Sequence, residues 1–280
     1  MTLTREGTAG SVEVDGVRLS YNTAGAGPAL IAIHGGGPGA SGWANYARNI
    51  EALAGSSEVF LVDLPGFGRS DNVPLARPVL HFYARWIRGF MRQMGIARAT
   101  LVGNSLGGAV AMRLAIENPE LVSGLILMGP AGGHQLFTQN PAQLYVNYYD
   151  DPTRERIIPF LRNMVYDPSS VTEDLIDERF EVSLRSAIVR DPPMHPWVQI
   201  AHGELAGELE NVSPPTLLVW GRDDQAVGLD AAVYLAHALP NADLHVFSRC
   251  GHWVQWERPA DFNALATHFL ARQRALREAA

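Results

Sequence analysis

The sequence predicts an α/β protein in which a mostly parallel sheet is covered by helices on both faces. Three observations lead to that class. Short β-type runs alternate with longer helical patterns along most of the chain, the arrangement that βαβ units produce. Most of the runs are apolar without polar alternation, as strands buried on both faces are. Each run also stops at a cluster of Gly, Pro, Asp or Ser, where the chain can turn.

Two alternating runs come first, Ser11 to Asp15 and Val17 to Tyr21, joined at Gly16. They read as an antiparallel hairpin at a sheet edge. Ala29 to Ile33, Val59 to Val62, Thr100 to Val102, Gly124 to Met128, Thr216 to Trp220 and Leu244 to Phe247 follow as buried strands. That makes an eight-stranded sheet. Helical periodicity occupies Val79 to Met94, Leu106 to Glu117, Ala231 to Leu239 and Phe262 to Leu276. Over 133–205 the alternation stops, leaving helical segments broken by Pro141, Pro152, Pro168 and the pair Pro192-Pro193. The expected organisation is therefore a core built from 1–132 and 206–280, interrupted by a helical lid at 133–205. Such a long insertion belongs on the side where loops carry chemistry.

Composition narrows the function classes. With 280 residues, 47% of them hydrophobic, the chain can bury a sizeable core. The net charge is −7 and the arginines are scattered, so neither nucleic acid nor an anionic membrane is an expected partner. The single cysteine, Cys250, excludes an intrachain disulfide and a Cys-rich zinc site, and reads as a small core residue. No histidines stand in an HExxH-type ligand pair, so no metal is expected. The stretch Met1 to Gly7 lacks the apolar run of a signal peptide, and no run approaches the roughly 20 residues that span a bilayer. The expected compartment is the cytoplasm.

The chemistry is carried by four strand ends. Strand Thr100 to Val102 leads into Gly103-Asn104-Ser105-Leu106-Gly107-Gly108 and then a helix, the context of a nucleophile elbow. Ser105 thus stands at a helix N-terminus, where backbone N–H groups favour developing negative charge. A serine hydroxyl is a poor nucleophile and needs a base and an orienting acid, which follow in the chain order Ser, Asp or Glu, His in α/β hydrolases. Gly221-Arg222-Asp223-Asp224 and Cys250-Gly251-His252-Trp253 end the last two strands. They supply His252 and Asp224, with Asp223 as competitor for the acid. His34-Gly35-Gly36-Gly37-Pro38-Gly39 offers N–H groups for an oxyanion hole at Gly36 and Gly37, with Leu106 as the other half. The same stretch contains a formal GxGxxG from Gly37 to Gly42, with Asp63 ending the next strand. Pro38 lacks an N–H that a dinucleotide turn would use, so no cofactor is expected.

At these residues the sequence resembles the meta-cleavage product hydrolases of the α/β-hydrolase fold. The motifs are His34 to Trp43, Ala44 to Ile50, GNSLGG, Leu127 to Gly132, WGRDD and Cys250 to Glu257. It is most similar to the branch acting on ring-fission products of steroid and biphenyl degradation, including Met164 to Asp167 and Arg179-Phe180. The resemblance implies hydrolysis of a carbon–carbon bond in 2-hydroxy-6-oxohexa-2,4-dienoates. It also implies that Arg179, Asn104 and Asn45 bind the carboxylate and oxo end, that Trp253 lies on the dienoate, and that the chain forms a homodimer or larger homo-oligomer. For Arg179 the residues make a separate argument. A helix after a Ser170/Glu173 capping box puts it at i+4 from Leu175 on an apolar stripe, and a charge there needs an anion. The plainer readings are an arginine turned to solvent, asparagines in turns and caps, and a packed tryptophan. Asp63 to Gly68 reads as structural. Leu136 to Tyr149 and Ile188 to Val198 match no family pattern, leaving the 6-substituent of the substrate open. A carboxylesterase or lactonase would use the same three residues. A non-catalytic binding protein of this fold would be expected to have lost one of them.

Overall fold

The computed structural model describes residues 3–76, 78–132, 142–186 and 205–278. The strands are β1 (Ala9–Val14), β2 (Val17–Ala24), β3 (Ala29–Ile33), β4 (Glu58–Val62), β5 (Ala99–Asn104), β6 (Val122–Met128), β7 (Thr216–Gly221) and β8 (Ala242–Phe247). The helices are α1 (Gly42–Tyr46), α2 (Ile50–Ala54), α3 (Val79–Gln93), α4 (Leu106–Glu117), α5 (Ala142–Asp150), α6 (Arg154–Asn163), α7 (Glu173–Ser183), α8 (Leu229–Ala238), α9 (Val254–Glu257) and α10 (Pro259–Glu278). All eight strands form one sheet in the order β1-β2-β4-β3-β5-β6-β7-β8. β2 runs antiparallel to β1 and β4, and every other pairing is parallel. The predicted hairpin is β1 and β2 at the sheet edge. Its turn residues Asp15 and Gly16 both have positive φ, the pair that a two-residue hairpin loop selects.

Burial on both faces explains the unbroken apolar runs. Ile31, Ile33, Leu125, Leu127, Leu218 and Trp220 point to one side, where they meet Ile87 and Phe90 of α3 and Leu106 and Met112 of α4. Leu30, Ala32, Ile126, Met128, Leu217 and Val219 point to the other, against Leu53 of α2 and Phe262 and Phe269 of α10. Each fully buried aliphatic side chain contributes about 1.5–3 kcal/mol, so two such layers dominate the stability.

Two expectations need correction. Leu244 to Phe247 lies in β8, which is not a buried strand: it closes the sheet edge, and its residues are half-buried or exposed. Only β7 pairs with it, so one side of the strand stays open to solvent. The N-cap of α7 is Thr172, whose Oγ1 accepts from Leu175 N, and no capping box starts at Ser170. Ser170 instead ends a short 3₁₀ turn, its hydroxyl donating to Asp167 O. The sequence pattern misled because two serines and a threonine stand within four residues of the helix start, and only backbone geometry distinguishes a cap from a turn.

Between β6 and β7 the described chain contains α5, α6, α7 and the turns Pro168–Ser170 and Leu209–Asn211, without a strand. It leaves the sheet at Gly132 and is back at Leu205, where Leu205 N donates to Gly132 O at 3.4 Å. Arg113 of α4 then holds Glu208 through two hydrogen bonds of 3.0 Å. Of the segment 133–205, residues 133–141 and 187–204 lie outside the described residues, as do 136–141 and 188–198 of the stretches without a family match.

The approach of α4 to β3 sets the shape of the site. A Cβ on Gly107 would stand 2.1 Å from the carbonyl oxygen of Ile33, which is backbone and has nowhere to go. Gly107→Ala is expected to destabilise the protein by about 1–3 kcal/mol, the range for over-filling a packed interior. A lowered urea midpoint with unchanged slope would show it.

Candidate active site

β3 lies between β4 and β5, so the chain leaves it towards one side and later returns on the other. Loops at the carboxyl ends of two such strands diverge and leave a crevice between them. The glycine loop after β3 and the Ser105 turn after β5 are the two walls of that crevice.

Ser105 has φ 53° and ψ −113°, a backbone region that costs a non-glycine residue about 1–3 kcal/mol. The surroundings over-determine it. Its N–H donates to Met128 O at 2.9 Å, and its carbonyl accepts from Ala109 N at 3.1 Å and Ala131 N at 3.0 Å. Leu106 follows as the first residue of α4, where an N–H has no intrahelical acceptor.

His252 Nδ1 is 2.8 Å from Asp224 Oδ2, and both side chains are buried. The other carboxylate oxygen, Oδ1, accepts from Ala226 N at 2.8 Å and Val227 N at 2.9 Å. The Asp224 side chain thus accepts three bonds, one of them from His252 Nδ1–H, which leaves Nε2 as the ring nitrogen without that partner. Asp223, the competing acid, is turned towards Arg222, with 3.6 Å between Arg222 Nη2 and Asp223 Oδ2.

Gly36 and Gly37 line the same cavity as Ser105 and His252, together with Asn45, Asn104, Arg179 and Trp253. His34 shapes the glycine loop from inside: Nε2 accepts from Leu64 N at 3.0 Å, so Nδ1–H donates to Gly35 O at 2.7 Å. Burial lowers the pKa of this ring to about 4, keeping it neutral. At the far end of the loop Gly39, with φ 65°, touches α7, where a Cβ would come within 2.0 Å of Arg179 O. Asp63, the acid that a dinucleotide motif would use, is engaged by Gly42 N and Arg69 N at 2.7 and 2.9 Å.

A hydrogen-bond chain runs from Arg179 to the histidine loop. Arg179 Nη2 donates to Asn45 Oδ1, and Asn45 Nδ2 donates to Asn104 Oδ1, both at 3.4 Å. Asn104 Nδ2 donates to Met128 O at 3.1 Å and His252 O at 3.2 Å. Each link fixes the orientation of the next amide. Both amide hydrogens of Asn104 are thereby spent on backbone, so it orients Asn45 and the His252 loop. Arg179 itself is 2% exposed, and its Nε has no hydrogen-bond partner among the described residues. Its guanidinium lies 4.9 Å from the Trp253 ring centre, and burial lowers its pKa to about 10.

Tyr145, Phe160 and Met164 also line the cavity; Met164 belongs to a stretch that carries the family resemblance, whereas neither Tyr145 nor Phe160 was singled out in the sequence. Tyr145 and Phe160 meet edge to face at 4.6 Å. The Met164 carbonyl accepts from His252 N at 2.9 Å and Trp253 N at 3.2 Å. Tyrosines at 145, 148 and 149, one helical turn apart, were the available signal.

The family model described as alpha/beta hydrolase fold matches residues 28–259. A 2-hydroxy-6-oxononadienedioate/2-hydroxy-6-oxononatrienedioate hydrolase of Burkholderia vietnamiensis is 40% identical over 271 residues, covering 91% of this chain and 92% of the relative. A 2-hydroxy-6-oxo-6-phenylhexa-2,4-dienoate hydrolase of Comamonas testosteroni is 41% identical over 274 residues, again covering 91% and 92%. Among solved structures, a meta-cleavage product hydrolase of Pseudomonas fluorescens, a serine-to-alanine mutant complexed with acetates, superposes with a TM-score of 0.85. It is 32% identical and covers 94% of this chain and 97% of that one. With the elbow serine, the histidine–aspartate pair and the glycine loop gathered at one sheet crevice, the chain belongs to the α/β-hydrolase fold family and, within it, to the meta-cleavage product hydrolases.

Proposed function

We propose that this protein hydrolyses a carbon–carbon bond in 2-hydroxy-6-oxohexa-2,4-dienoate-type ring-fission products of aromatic compounds. The observation that carries the reading is Arg179: a buried guanidinium without a carboxylate partner among the described residues, in the same cavity as Ser105 and His252. A buried charge is tolerable when an anion joins it, and a 2-hydroxydienoate brings a carboxylate at the end remote from the bond to be cleaved. The names of the relatives support the same substrate class.

The reaction proceeds in two parts. The proton of the 2-hydroxyl moves to C5 with His252 as carrier, converting the dienol into a 2,6-diketone with the remaining double bond between C3 and C4. Either Ser105 or a water that it and His252 position then adds to C6, and the oxyanion faces N–H groups at Gly36, Gly37 and Leu106. Breaking C5–C6 sends the electron pair through C4 and C3 onto the 2-oxo group, which takes up a proton. The products are a carboxylic acid and 2-hydroxypenta-2,4-dienoate, and water is the only co-reactant. On the serine route, a second hydrolysis releases the acyl group from Ser105. Asn45, held by Arg179 and Asn104, stands beside the carboxylate and oxo end, and Trp253 offers the dienoate a ring face.

The helical segment within 133–205 serves as the lid on this cavity, with Tyr145, Phe160 and Met164 meeting the 6-substituent. A homodimer or larger assembly is proposed from the resemblance alone. No described helix is long and apolar enough to cross a membrane, and the proposed compartment is the cytoplasm.

Mixing the protein with a yellow 2-hydroxy-6-oxodienoate is expected to bleach it at catalytic enzyme concentrations. Turnover of simple esters with no bleaching would replace this reading with an esterase or lactonase. Arg179→Ala should lower kcat/KM for the dienoate by roughly 100-fold, the loss of about 3 kcal/mol that removing a buried partner of a carboxylate costs, while hydrolysis of an uncharged ester changes little. Asp224→Asn should lower kcat by on the order of 10⁴-fold, because the wrong imidazole tautomer would face the substrate. Steady-state kinetics read both variants.

A further inference from the structure

Glu257 ends α9, five residues after His252, and takes no part in the reaction as described. Its carboxylate nevertheless joins two segments that the reaction needs in register. Oε1 accepts from Gly251 N at 2.8 Å, one residue before the histidine. Oε2 accepts from Tyr166 N at 2.7 Å, three residues after the end of α6. Between these two bonds, Met164 O accepts from His252 N and Trp253 N. The loop 251–253 and the segment 164–166 are therefore laced together by four hydrogen bonds, two of which end on one side chain.

A neutral acceptor would satisfy these N–H groups at less cost. Glu257 is half-buried and makes no ion pair among the described residues, and its burial raises the carboxyl pKa. A charge kept there without a cation is stabilised by the two N–H donors, with the Cys250 thiol also donating to Oε1 at 3.9 Å, and charge-assisted bonds are short and directional. Tyr166 is 45% exposed, and its link to Glu257 is made by the backbone N–H. Asp224 orients the histidine ring, while Gly251 and Asn104 hold the backbone on which the ring sits. A displacement of about 1 Å at such a base costs on the order of 100-fold in rate.

We infer that Glu257 is a positioning residue: its carboxylate locks the His252 loop to the segment after α6, so that the histidine and the helical insertion reach their working placement together. The inference rests on the role of His252 proposed above.

The test compares Glu257→Ala, which removes both acceptors, Glu257→Gln, which keeps the volume and one carbonyl, and Tyr166→Pro, which deletes the N–H donor on the insertion together with an exposed side chain. In Glu257→Ala the rate of Ser105 labelling by a fluorophosphonate and kcat for the dienoate should each fall about tenfold or more, with KM within about threefold of wild type. Glu257→Gln should retain part of both. The double variant Glu257→Ala/Tyr166→Pro should lose no more than the worse single variant, because the two changes break one linkage. Wild-type labelling and kcat in Glu257→Ala would overturn the inference. So would multiplying losses in the double variant, or losses that match the unfolded fraction in a thermal melt. If Glu257→Ala does not fold, Glu257→Gln and Tyr166→Pro carry the same comparison. Labelling is independent of the substrate: wild-type protein that labels but leaves the dienoate yellow would overturn the substrate class and leave this comparison intact.

Discussion

Ser105 can hold its strained backbone only because α4 starts in contact with β3. The glycine at position 107 lets the helix come close enough that any side chain would strike the Ile33 carbonyl. That approach aims the first turn of α4 across the crevice at the glycine loop. The strain at φ 53° is offset by three backbone hydrogen bonds to Met128, Ala109 and Ala131. Everything else at the site is placed relative to this turn. The glycine loop faces it because β3 and β5 are neighbours in the sheet, and the aspartate and histidine reach it because β7 and β8 end on the same side.

The second organising force is electrostatic. Arg179 brings a positive charge into a region where burial weakens its hold on the proton. Its hydrogen bond to Asn45 begins a chain of donors and acceptors that ends on the His252 carbonyl. Arg179 and the His252 loop are thus joined through two asparagines. A carboxylate arriving at Arg179 would relieve the buried charge and tighten a chain whose first two links, at 3.4 Å, are long. The histidine loop is held from the other side by Met164 O and the Glu257 carboxylate, so both ends of the cavity bear on the same few backbone atoms.

Much of this was legible in the chain. The apolar runs and their turn residues located the strands, because burial on two faces leaves no room for polar alternation. The serine, aspartate and histidine could be found because each closes a strand in a short motif, with Asp223 left as the competitor of its neighbour Asp224. The limits of that reading lie at surfaces and caps. β8 looked like the inner strands because its residue types are similar, yet a position at the sheet edge leaves it half exposed. Ser170 resembled a cap because hydroxyls cap and turn equally well, and Thr172 takes that place. Tyr145 and Phe160 were hidden because an aromatic residue on a helix has the same sequence signature whether it fills a core or lines a cavity.

By itself, then, the sequence determined the fold class, and it singled out the three strand-end residues and Arg179. These are local properties: hydrophobic period, turn chemistry, and a charge on an apolar helical stripe. Only the tertiary structure decided which partners those residues have. It put the two asparagines in series between Arg179 and His252, gave Asp224 rather than Asp223 to the histidine, and tied Glu257 to a backbone N–H 91 residues away. Such pairings depend on where a sheet order and a helical insertion bring distant backbone together, and no short-range pattern in a chain records that distance.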